Sequence, residues 1–125
     1  MNQSELIILN FKEVRRRSIK LWNGLPEEYY NWKPDQKAMS ASEMIRHVLE
    51  ADYGWNIIIN QGDITNYKTP WKNRPFLNLK DELEFAEPFR KTFLESIQRF
   101  SDKELNICYG LHITKPFTQD NSFRI

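Results

Sequence analysis

His47 stands inside an amphipathic run, Ser40-Ala-Ser-Glu-Met-Ile-Arg-His-Val-Leu-Glu-Ala-Asp52, and is one of two histidines in the chain. An imidazole can ligate a divalent metal, move a proton or hydrogen-bond a neighbour. One imidazole does not hold a divalent ion selectively, so His47 needs partners before it makes a metal site. Taken alone, it reads more readily as a buried histidine satisfied by one neighbour than as a ligand. The second histidine, His112, sits in a loop-like stretch and would have to fold back to reach it. Glu50 and Asp52 could assist a metal or act as bases, but their helical angles turn them from the Met44/Ala51/Trp55 direction and toward the surface. Arg15-Arg16-Arg17 could bind an anion, yet adjacent helical residues point about 100° apart, which reads as a solvated face. Cys108 is a lone thiol with nothing local to activate it. No Gly-rich phosphate loop, Cys-x-x-Cys pair or Ser-His-acid constellation is present.

Three helical patterns must position these groups. Ile7, Phe11, Val14, Ser18, Leu21 and Leu25 recur at steps of four and three, predicting a helix from about Gln3 to about Asn23. Gly24, able to take a left-handed cap, and Pro26 end it. Ser40-x-x-Glu43 has the capping-box form and opens a second helix. Its apolar face, Met44, Val48, Ala51, Trp55 and Ile58, is expected to point inward and to carry His47 with it, and Gly62 stops it after Gln61. A third pattern runs from Leu79 to Phe100 with Leu83, Ala86, Phe89 or Arg90, Phe93 and Ile97. Pro88 interrupts it, so a kink or a restart is expected near Glu87. Trp22, Trp32 and Trp55 read as plugs of the bundle's ends, and Trp71, in the long connection Asp63 to Phe76, as a pocket lid. Beyond Leu105 no helical stripe survives: 106–113 alternates weakly and the rest is loop-like.

The chain of 125 residues is expected to form one domain around one core, with 40% apolar and 28% charged residues. A formal net charge of +1 supplies no field for nucleic acid or an anionic membrane, and no recognition motif accompanies it. No apolar run approaches the ~20 residues needed to span a bilayer. One cysteine and no secretory signal pattern point to the cytoplasm.

Leu25-Pro26-Glu27-Glu28-Tyr29-Tyr30-Asn31-Trp32-Lys33-Pro34, followed by Ala38-Met39-Ser40 and the helix through His47 to Ala51, resembles the first half of a DinB/YfiT-like domain. The likeness covers residues 5–60 well and 79–105 loosely. It implies an all-α, up-down helical bundle with a four-helix family fold, three main helices being present over 1–125 and the C-terminal helix missing. It also implies a three-histidine divalent metal centre, zinc or nickel, in which His47 matches the helix-two ligand. The other two ligands would come from a His-x-x-x-His that this chain lacks. The implied activity is that of a metal-dependent hydrolase or thiol transferase acting on a small molecule, with a low-molecular-weight thiol as a candidate substrate. The alternative is a non-catalytic bundle acting through dimerisation or partner binding. A homodimer is expected in either case, because three helices leave inner apolar faces partly bare.

Overall fold

A computed structural model describes residues 1–105 of the chain; the expectations for Cys108, His112 and the 106–125 tail lie outside the described residues. The described residues are all-helical: α1 (Gln3–Asn23), a 3-10 turn (Glu27–Tyr29), α2 (Ala41–Gln61) and α3 (Leu79–Arg99).

Each helix begins on a polar side chain that satisfies backbone amides left without intrahelical partners. Asn2 and Glu5 form a reciprocal capping box at α1, Ser40 and Glu43 form another at α2, and Asn78 accepts from the Asp81 amide at α3. The start of α2 is closed further by the preceding loop. Trp32 O accepts from Ala41 N at 3.0 Å and Tyr30 O accepts from Ser42 N at 2.9 Å. With Ser40 Oγ on Glu43 N, the first three amides of α2 are all taken, so no donor remains there for an anion.

The two glycine stops differ. Gly62 ends α2 with φ of 83°, the left-handed cap that favours glycine. Gly24 ends α1 with φ of −79°, an ordinary right-handed conformation, so the expected left-handed cap is not used there. The expected break at Pro88 is also absent, since α3 runs without interruption from Leu79 to Arg99. Pro88 and Glu84 both lie on the exposed face. The Glu84 carbonyl that loses its partner is therefore on the side where water can serve it.

α3 is the central helix. α1 and α2 each pack on it and meet each other only loosely. The core is built mainly between α2, α3 and the long connection: Ile45, Leu49, Trp71, Leu79 and Ala86 are buried together, with Phe85 and Phe89 packed against them. Trp71 is thus a core residue and not a lid. Its ring meets Phe85 edge-on at 5.0 Å, and its indole Nε1 donates to Glu82 at 3.2 Å. Trp32, expected to plug the bundle, is exposed instead, because its loop contributes the backbone carbonyl to α2 and leaves the ring outside.

Candidate functional site

The apolar stripes read on α1 and α2 exist, but most of their length does not face the core. Phe11, Val14 and Leu21 on α1 and Met44, Val48 and Trp55 on α2 are all exposed, Leu21 to 75% and Met44 to 55%. The residues of α2 that are buried lie one step around the helix: Ser42, Ile45, Leu49, Asp52 and Gly54. The expectation that Met44, Val48 and Trp55 point inward is therefore corrected. They border an open groove that α1 and α2 form by sitting on the same side of α3.

Two hollows mark the ends of that groove. Leu21, Trp22, Leu25, Ala41, Met44 and Ile45 surround one of about 340 Å³. Phe11, Trp55, Ile59, Phe93 and Ile97 surround the other, of about 250 Å³. The end of α1 thus lies beside the start of α2, so the two helices run antiparallel. Between the hollows, Arg15 Nη2 reaches Asp52 Oδ2 at 2.8 Å.

That ion pair belongs to a buried network. Arg90 Nη1 donates to the other oxygen of Asp52 at 3.1 Å, and Arg90 Nη2 donates to the carbonyl of Phe11 at 2.7 Å. Burial lowers the pKa of the Arg90 guanidinium while the neighbouring Asp52 carboxylate opposes that shift. Asp52 is 5% exposed, so its expected surface position is wrong. A face centred on Met44 leaves Asp52 at its margin, whereas the core face is centred nearer Leu49 and takes Asp52 in. Arg15, expected to be solvated, is drawn in by the same carboxylate. Arg16 and Arg17 are exposed as expected and bind Glu13.

A second polar network lies where α2 meets α3 and the long connection. Glu82 is completely buried and takes a two-pronged interaction from the Arg46 guanidinium, whose Nη1 also donates to the carbonyl of Arg74 at 2.7 Å. Glu50 is half-buried and accepts from the Tyr67 hydroxyl at 2.5 Å. Burial first, and the Glu50 carboxylate second, raise the Tyr67 pKa above its ordinary 10.0. Glu50 is thereby occupied as a structural acceptor.

His47 is half-buried, on the turn of α2 between Met44 and Val48. Among the described residues no group of three or more His, Cys, Asp or Glu is placed to hold a metal ion. The carboxylates that share α2 with His47 are already engaged, Glu43 by the Ser40 amide, Asp52 by two arginines and Glu50 by Tyr67. The donor set of residues 1–105 therefore does not by itself fit a divalent metal.

The family model of the DinB superfamily matches residues 10–122. The chain belongs to the DinB superfamily. Among curated relatives it is 22% identical over 111 residues to the uncharacterized protein YjoA of Bacillus subtilis strain 168, a match that covers 85% of this chain. The chain spans 66% of that relative's length. No solved structure matches. Membership in the DinB superfamily and the all-helical architecture agree with the resemblance read from the Leu25–Pro34 loop and the α2 cap. No helix among the described residues is long and apolar enough to cross a membrane.

Sequence reasoning missed Arg46, Glu82 and Arg90 as network members. A signal was present in α3. Leu79, Glu82, Ala86, Arg90, Phe93 and Ile97 fall at helical spacing and are all buried, so two charged residues share the core stripe. Charges in such register require buried partners of opposite sign on the facing helix.

Proposed function

We propose that this chain is a DinB-superfamily helical bundle that works by binding, with the open α1/α2 face as its working surface. The observation that carries this reading is the exposure of Val14 and Leu21 on α1 and of Met44 and Val48 on α2. Contiguous apolar surface of this kind marks an interaction site more often than chance scatter does. The carboxylates of α2 support the same reading, since Glu43, Glu50 and Asp52 each already have a structural task. The test is fluorescence of a hydrophobic-surface dye on the dilute protein. Strong emission that falls in the Met44→Glu and Leu21→Glu variants agrees with a free apolar face; absence of emission at every dilution counts against it.

A second reading is favoured by the half-buried imidazole of His47 on α2. In that reading the chain is a metal-dependent hydrolase or thiol transferase of the DinB type, acting on a small molecule such as a low-molecular-weight thiol. His47 is then one ligand of zinc or nickel, and the remaining ligands come from outside residues 1–105. Elemental analysis decides between the two: one equivalent of zinc or nickel, lost in His47→Ala, supports the metal reading, and a metal-free protein supports the binding reading.

A further inference from the structure

The described residues end at one mouth of the groove. Asp102 Oδ1 accepts from Gln3 N at 3.1 Å and Leu105 N donates to Ser101 O at 3.0 Å, so the chain leaves Leu105 beside the start of α1. The Phe11/Trp55 hollow is nearer that mouth, and the Leu21/Met44 hollow lies toward the far end. The next eight residues, Asn106-Ile-Cys-Tyr-Gly-Leu-His-Ile113, carry apolar side chains at every second position, Ile107, Tyr109, Leu111 and Ile113, and no Lys, Arg, Asp or Glu. The DinB-superfamily match continues through residue 122, so this segment belongs to the same domain as the groove.

We infer that residues 106–113 lie extended along the α1/α2 groove, and that an outside partner of this face binds by displacing them. The inference rests on the binding reading above and names what controls access to the surface. Alternate side chains of an extended segment share one face, so the four apolar residues can all be turned to the groove together.

The distances agree. Gln3 to Phe11 spans about 12 Å of helix, and Leu105 to Tyr109 spans about 13 Å of extended chain. Tyr109 therefore reaches the first hollow. Phe11 to Leu21 is about 15 Å along α1, and Tyr109 to Ile113 is about 13 Å when extended. Ile113 then arrives at the second hollow, with Leu111 between them beside the exposed Val14 and Val48. The Arg15–Asp52 ion pair in the middle of the groove is closed within the chain, so an uncharged segment can cross it without leaving a new charge unpaired. A segment lying in the open mouth keeps one edge of its backbone in water, where its amides and carbonyls stay hydrogen-bonded. Its tether to α3 holds it at an effective concentration of about a millimolar, which a free partner must exceed or outbind.

The full 125-residue chain supplies the test. Ile107→Asp with Leu111→Asp is expected to raise emission of the hydrophobic-surface dye about two-fold, the ratio for a groove that is open half of the time in the parent. The helical circular dichroism is expected to be retained. Proximity is read independently by oxidation with glutathione disulfide at about 1 µM, where a tethered thiol outcompetes one on another molecule. In a Cys108→Ser background, Val14→Cys with Leu111→Cys is expected to close an intramolecular disulfide in higher yield than Leu111→Cys with Thr92→Cys, Thr92 being exposed on α3. A parent that is dark while Ile107→Asp/Leu111→Asp is bright supports the inference in its strongest form, with the groove held closed. Equal emission from parent and variant, with no preference for the Val14 pair, overturns the inference and leaves the binding reading standing. Darkness in both removes the two readings together. A disulfide formed only between molecules also overturns the inference and points to an occupant from outside the chain.

Discussion

The two sides of α2 invert the usual rule. The side turned toward α3 and the long connection buries charge: Glu82 against Arg46, Asp52 against Arg90 and Arg15. The side turned toward the groove exposes Met44, Val48 and Trp55. A helix can only be so arranged if its sealed face finds specific partners for each ion and its open face has somewhere to go. Packing specificity therefore resides on the sealed side and exposed apolar surface on the other.

Variants that attack the sealed side should have the larger effects. Glu82→Ala strands the Arg46 guanidinium and the Trp71 indole N–H in a closed environment, and a destabilisation of about 3–5 kcal/mol is expected in urea unfolding. A loss below about 1 kcal/mol would erase the contrast between the two sides. Asp52→Ala leaves Arg90 and the partly exposed Arg15 without their shared anion, and about 2–4 kcal/mol is expected from the same measurement. Tyr67→Phe removes one hydrogen bond to Glu50, with an expected cost of about 1 kcal/mol.

The Tyr67 hydroxyl also sharpens the comparison through pH. Its folded pKa is raised above 10.0, so the folded chain holds this proton after the unfolded chain has released it. Its contribution is complete below pH 10 and is lost as pH rises above that value. Stability should fall on that side in the parent and less steeply in Tyr67→Phe. The smallest effect belongs to Glu13 at the surface of α1, whose carboxyl is held down to about 2, chiefly by its hydrogen bond from Arg16. NMR titration should find that midpoint well below the ordinary 4.5 and moving back toward it in Arg16→Ala.

Much of the fold was legible because local signals agree with one another. Gln3, Asn23, Ser40, Gln61 and Leu79 bound elements as caps, glycines and periodicity predict. The assignment of inside and outside was not legible on α1 and α2. Periodicity reports that a stripe is apolar, but it does not report which neighbour covers it. Met44 and Val48 look like core residues from spacing alone, and the groove makes them surface. Asp52 fails in the opposite direction, because its burial depends on Arg15, 37 positions earlier, and Arg90, 38 positions later. Trp71 belongs with them, since only a folded connection can bring an indole from a Pro-rich segment beneath α3. The candidate site was readable to the extent of one imidazole. What surrounds it is set by tertiary pairing that no local window contains.

The Arg90 side chain donates to the main-chain oxygen of Phe11 in the middle of α1 while also gripping Asp52. Most of the apolar packing lies elsewhere, between α2, α3 and the connection. The first helix is consequently fastened like a door on a latch, by directional polar bonds near its midpoint more than by a broad greasy seam. Such an attachment is directional: the arginine fixes the height of α1 against its neighbours, while Phe11 set edge-on to Phe93 and Trp22 packed on the core supply the rest of the hold.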